Sequence, residues 1–184
     1  MKEYHVKEKP VLMIHEVRDH FFDLPLHNYI LTFDDGLYSQ YYYFDKIKSI
    51  DTQKIFFIST DIVACHNTSQ STEFPKCSTA HDKYFNSRNR EDYMTWSQIK
   101  EIDSVDNCYI GGHSHAHNRL SMTPLRTLIK DIKNLCNEFN DQLGYCPTKF
   151  CFPYNEYSPV YERLLSRYGF EDFYCDERVD VYDL

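Results

Sequence analysis

No stretch of the 184 residues approaches the roughly 20 apolar residues needed to span a bilayer, so the sequence predicts no membrane helix. Glycine is scarce at five, proline stands at seven, and no low-complexity tract occurs, which excludes fibrous and disordered classes. Seven cysteines form no CxxC pair, and an odd number cannot all pair internally. That argues against a disulfide scaffold and for reduced thiols. Basic residues are few: 20 Lys and Arg against 28 Asp and Glu, a formal charge of −8. A phosphate backbone demands a positive surface, so nucleic acid is excluded as the main partner. The densest acidic run, Glu171 to Asp183, reads as a solvated tail. The first ten residues are charged and lack the apolar core of a secretory signal, so a cytoplasmic setting is expected. Tryptophan occurs once, against 16 Tyr and 13 Phe, an excess that suits a core, a partner surface or a sugar groove equally.

What is present has the pattern of one α/β domain over residues 1–184. Val11 to Ile14, Tyr29 to Phe33, Lys54 to Ile58, Asn107 to Ile110 and Phe150 to Phe152 are short apolar, β-branched or aromatic runs, and each predicts a strand. Helical spacing marks Ser39 to Ile50, a short helix capped by Thr95, the stretch Pro124 to Leu143 ended by Gly144, and Tyr157 to Tyr168. Strands alternating with helices imply a parallel sheet. Residues 64–92 are polar and without period, and predict a long loop that shapes the pocket.

His15, Asp34-Asp35, His113 and Tyr154 all fall just past the C-terminal ends of predicted strands. That is the edge where parallel α/β sheets and barrels gather ligands. His113 and His117, four residues apart, would face one way if their segment enters a helical turn, and His115 would point elsewhere. Two imidazoles alone are weak evidence of a metal. Asp34-Asp35 adds two carboxylates at the end of a strand too apolar for a solvated loop. Neighbouring residues on an extended chain point to opposite sides, so one acid can hold a cation while the other faces a water. Two imidazoles and a carboxylate leave positions open, the arrangement of a catalytic site, and hydrolysis of an amide or ester follows.

Thr32-Phe33-Asp34-Asp35-Gly36 resembles the first motif of the polysaccharide deacetylases, the NodB-homology or carbohydrate esterase family 4 group, and His113-Ser114-His115-Ala116-His117 is similar to their second. The resemblance extends to Pro10–His15, Trp96 and Phe152-Pro153-Tyr154, covering most of residues 10–175. It implies an irregular β/α barrel and N-deacetylation of an amino sugar. It makes Asp34 the general base and Asp35, His113 and His117 the ligands of one divalent cation. That cation is expected to be Zn2+, with Co2+, Ni2+ or Fe2+ as substitutes. Phe152, Pro153 and Tyr154 would contact the substrate, the backbone near Tyr154 supporting the oxyanion.

Two features depart from the family pattern. The third motif carries Cys151 or Phe152 where an Arg is usual, and no His follows His117 to serve as the late general acid. Val11 to His15 resembles the early strand and His of the permuted subgroup that deacetylates poly-N-acetylglucosamine. His15 is therefore expected to protonate the leaving amine, a task that suits an imidazole. His5, His20, His27, His66 and His81 receive no role, and Trp96 is assigned to the core. The substrate is expected to be a precursor of a surface polysaccharide or O-antigen, with oligomeric state open. Two other readings are a non-catalytic carbohydrate-binding protein on the same fold and a metallohydrolase of a non-sugar amide.

Overall fold

The apolar runs become strands of one parallel sheet in the computed structural model, which describes residues 9–184. In chain order these are β1 (Val11–Ile14), β2 (Ile30–Phe33), β3 (Lys54–Ile58), β4 (Cys108–Gly112), β5 (Lys149–Cys151), β6 (Asp172–Tyr174) and β7 (Val179–Asp180). The order across the sheet is β6-β5-β4-β3-β2-β1-β7. Laid flat, six intervals of about 4.8 Å would put the edges roughly 29 Å apart. The chain from Tyr174 to Val179 has only five steps, with a reach of about 18 Å. The sheet therefore has to curl, and the link between β6 and β7 crosses its mouth.

Strand alternation divides the interior in two. Phe56 and Ile58 of β3 join Leu12, Ile14, Leu31, Phe33, Ile110, Phe150 and Phe152 in the large core beneath the helices. Ile55 and Phe57 face the other way and pack with Cys151 in a small second cluster, edged by Ile30 and Tyr174. His15, Asp34 and His113 continue the parity of this inner set at the ends of β1, β2 and β4. At β4 the inner position is Gly111, where a Cβ would lie 2.5 Å from the Phe57 ring carbons. Only glycine admits that ring beside the strand.

The helices are α1 (Tyr38–Tyr42), α2 (Phe44–Lys48), α3 (Cys77–Ser87), α4 (Trp96–Asp103), α5 (Leu125–Leu143) and α6 (Pro159–Ser166). Thr95 caps α4 in a reciprocal box with Gln98, and Gly144 ends α5 in the left-handed region. Trp96 packs edge-on against Phe139 in the core, as expected. Among the described residues, no helix is long and apolar enough to cross a membrane. All seven cysteines are free.

Three expectations are corrected. The helix expected over 39–50 breaks at Tyr43, whose ψ of 11° leaves helical geometry while its ring packs against Phe22 and Phe74. The loop expected over 64–92 contains α3, which buries only Ala80 and Tyr84 against Leu37, Ile62 and Tyr93. So thin an apolar stripe leaves no readable period. The acidic tail is not a solvated end. It supplies β6 and β7, and it buries Cys175, Arg178 and Val181. Its acids act locally as acceptors: Glu177 for the amide of Cys175, Asp180 for that of Tyr182, while Glu16 accepts from the Tyr182 hydroxyl.

Candidate metal centre and active site

Asp34 and Asp35 follow β2 but diverge, because Asp35 sits in the left-handed region at φ 71°. Asp34 continues inward, and Asp35 turns toward the histidines. Both are buried. The Nε2 atoms of His117, His113 and His81 lie 3.0, 3.3 and 3.5 Å from one oxygen, Oδ1 of Asp35. Its other oxygen, Oδ2, accepts from the Cys77 thiol at 2.8 Å.

The residues fit a cation on grounds of proton placement. His113 Nδ1 lies 2.8 Å from the Cys151 carbonyl oxygen, which can only accept. Nδ1 therefore carries the proton of the neutral ring, and the Nε2 lone pair faces the Asp35 carboxylate. Asp35 Oδ1 and His81 Nε2 are buried without a hydrogen-bond partner. Ligand atoms of Asp35, His113 and His117 all lie within 4.8 Å of one another. Facing lone pairs and orphaned acceptors are costly to bury unless a positive charge sits among them.

Titration follows the same crowding. Burial alone would raise the Asp35 carboxyl, but the charges of His81 and His117 and the close approach of the His113 and His117 rings hold it well below the usual carboxylate range. Burial pushes His81 down to about 4, with Asp35 only partly offsetting it. Burial likewise lowers His117; at His113 burial is again the largest single influence, but Asp35, Asp34 and the Cys151 carbonyl together outweigh it and raise it.

The segment carrying His113 and His117 is not the helical turn expected of it. Ser114 and His117 adopt φ of 66° and 51°, so the chain winds as a loop. Asp131, buried on α5, organises that loop. Its carboxylate accepts from the Ser114 hydroxyl, the amides of His115 and Ala116, and the Asn118 side chain, all within 2.9 Å. These four bonds do what helical bonds would otherwise do, and the two imidazoles still converge. His115 turns away to Thr60, as expected.

Asp34 has a different partner. Arg178 donates to both carboxylate oxygens at 2.8 Å, and also contacts the Thr32 hydroxyl, the Cys151 sulfur and the Asn155 side chain. Burial would raise the Asp34 carboxyl, but the Arg178 guanidinium, with smaller contributions from His113 and His15, holds it below its ordinary value. His15, a third exposed, puts Nε2 4.0 Å from Asp34 Oδ2. A cavity of about 220 Å³ opens over the group, lined by His15, both aspartates, all three histidines, Phe152 and Tyr154. Tyr154 stands at its wall at φ 59°, edge-on to His117 and under the Arg119 guanidinium.

Thus the structure brings together His15, Asp34, Asp35, His113, His117, Phe152 and Tyr154, all singled out by sequence, with Pro153 buried beside them. Sequence reasoning missed Arg178, His81, Cys77 and Asp131. The spacing of Cys77 and His81, one helical turn, was the only available signal for any of them. His20 and His27 are exposed, as is His66, and His5 lies outside the described residues.

Residues 26–173 match the family model for polysaccharide deacetylase. No curated protein matches the sequence. Among solved structures, IcaB from Ammonifex degensii superposes with a TM-score of 0.68 at 19% identity, covering 94% of this chain and 84% of that one. The Streptococcus pyogenes deacetylase PplD gives 0.63 at 16%, over 88% and 80%. A de-N-acetylase from Aggregatibacter actinomycetemcomitans gives 0.64 at 15%, over 93% of this chain and 92% of that one. At such identities the likeness is one of fold, the distorted β/α barrel.

Proposed function

The chain belongs to the polysaccharide deacetylase family, and from that footing we propose that it hydrolyses an N-acetyl or other small N-acyl group from an amino sugar. Asp35, His113 and His117 would hold one divalent cation, with Zn2+ the first candidate for this set of imidazoles and carboxylate. When bound, such a cation supplies Lewis-acid polarisation and acidifies water. The remaining roles belong to the chain itself.

Asp34 is the general base, taking the proton of the water that attacks the acyl carbon. Its ionised state is secured by Arg178, whose paired N–H groups also fix the carboxylate plane. His15 faces the same carboxylate oxygen and gives a proton to the departing amine. The backbone turn at Tyr154 supports the developing oxyanion, and Phe152 and Tyr154 wall the cavity. The cavity of about 220 Å³ is smaller than the roughly 300–1,000 Å³ of pockets that swallow a whole drug-sized ligand. That size suits an acylamino arm reaching in from a sugar outside. A precursor of a surface polysaccharide or O-antigen, handled in the cytoplasm, is the substrate class we favour.

The observation that carries this reading is the side-by-side division of Asp34 and Asp35, one paired to Arg178 and the other to imidazoles. A protein that only bound carbohydrate would gain nothing from a buried ionised Asp34 beside the ligand set. The test is release of acetate from N-acetylated amino sugars, with and without chelator, by wild type and Asp34→Asn. We expect turnover that chelation abolishes and the substitution reduces by about 10²-fold or more. Unchanged turnover in the variant removes Asp34 as base.

A further inference from the structure

We propose that His81, carried by α3, is a third imidazole ligand of the cation and ties residues 64–92 to the metal centre. The proposal rests on the metal reading of Asp35, His113 and His117 above. His81 stands just outside that tight triad, its Nε2 3.5 Å from the same Asp35 oxygen that the other two imidazoles approach. Its ring centroid is 4.4 Å from that of His117. The Nε2 atom is buried and has no hydrogen-bond partner.

Proton placement at His81 repeats the pattern at His113. The Cys77 thiol has one proton, and the 2.8 Å contact to Asp35 Oδ2 uses it. The 3.7 Å contact between Cys77 Sγ and His81 Nδ1 then needs sulfur as acceptor and Nδ1–H as donor. The Nε2 lone pair is left facing the Asp35 carboxylate. A simple ion pair is the competing explanation, but a proton on one imidazole would leave the other two Nε2 lone pairs facing the carboxylate. A shared cation satisfies all of them.

The helix is built to deliver this group. Cys77 and His81 are four residues apart and share one face. The start of α3 is pinned by Glu16 accepting from the Cys77 amide. Its middle is pinned by buried Ala80 and Tyr84, with the Tyr84 hydroxyl donating to Asp61. Three imidazoles and a carboxylate form a donor set that would suit a borderline cation such as Zn2+ or Co2+. The consequence is linkage: loading the metal should order α3, and α3 should tighten the metal.

The full chain, stripped by chelator, can be titrated with Co2+ while its visible spectrum is recorded, and with Zn2+ in competition with a chromophoric chelator. Limited proteolysis of residues 64–92 with and without Zn2+ gives a readout independent of activity. For His81→Ala and His81→Gln we expect Zn2+ affinity lower by at least about 10-fold, a changed cobalt spectrum, and loss of the metal-dependent protection. The metal-free thermal midpoints should match wild type, which shows that folding is intact. His117→Ala should weaken binding further, and Cys77→Ser should leave the cobalt bands in place. Unaltered affinity and spectrum in both His81 variants would overturn the proposal. So would a near-ultraviolet thiolate band in wild type that Cys77→Ser abolishes, since Cys77 would then be the ligand. Failure of wild type to bind metal, or equal binding by His117→Ala, would instead bring down the underlying reading of the triad.

Discussion

Arg178 and Asp34 are 144 positions apart, yet the guanidinium of one donates two parallel 2.8 Å hydrogen bonds to the carboxylate of the other. Both side chains are almost wholly buried. Cys151 or Phe152 stands where the family resemblance would place an Arg, and the guanidinium of Arg178 reaches the proposed base from the C-terminal crossing instead. The fork geometry matters as much as the charge, because it fixes the plane of the carboxylate that must meet the water.

Removing this guanidinium leaves a buried carboxylate without compensation. Arg178→Ala should cost about 3–5 kcal/mol at neutral pH. Asp34 is held below its ordinary value in the folded protein. Its stabilising contribution is therefore present above the unfolded carboxylate range, near pH 4, and is lost as pH falls through the lowered value. In Arg178→Ala burial dominates and the Asp34 carboxyl rises. The stability deficit should then shrink on acidification, and the acid limb of kcat should move to higher pH. Denaturant melts across pH and a pH–rate profile check both; an unmoved acid limb would separate Arg178 from the base.

His15 should behave as a proton donor and not as a ligand. His15→Ala is expected to lower kcat by about 10²–10⁴-fold while metal content stays at wild-type level. Metal analysis beside acetate-release kinetics decides it. Loss of the metal with activity would make His15 a ligand.

Asp131 holds the loop that carries His113 and His117, and no backbone group can replace the four hydrogen bonds its two oxygens accept. Asp131→Asn keeps the shape but turns part of the acceptor into a donor, against amide donors that cannot reverse. Each affected charged bond is worth roughly 1.5–3 kcal/mol. We expect a fall of several degrees in the thermal midpoint and metal affinity weaker by about 10–100-fold. A variant that melts lower but binds metal as tightly would confine Asp131 to folding.

Gly111, two residues before His113 on the inner face of β4, offers a test of the barrel wall. A methyl at this position would meet the Phe57 ring at 2.5 Å. Gly111→Ala should destabilise by about 1–3 kcal/mol through overpacking, and Phe57→Leu in the same chain should recover part of that loss. Additive effects in the double variant would contradict the contact.

Much of the site was legible before any coordinates. A period of two along β1, β2 and β4 places His15, Asp34 and His113 on one side, and all three stand just past a strand end. These are local patterns, and parallel strands convert them directly into a shared edge. The same locality explains the Thr95 cap and the glycine end of α5. The loop around His113 was misread as helical, because the acceptor that shapes it lies 14 residues beyond His117, on α5.

What the sequence by itself determined was the first five strands, their alternation with helices, and the residues His15, Asp34, Asp35, His113 and His117 at one edge. Only the tertiary structure decided what surrounds them. Arg178 lies in a run of acids that reads as solvated, and it becomes buried because a short link must cross the mouth of a curled sheet. His81 lies in a polar segment with almost no apolar stripe, and it reaches Asp35 because two buried residues dock its helix. Neither contact follows from neighbours in sequence. Both are consequences of chain closure, which no local period encodes.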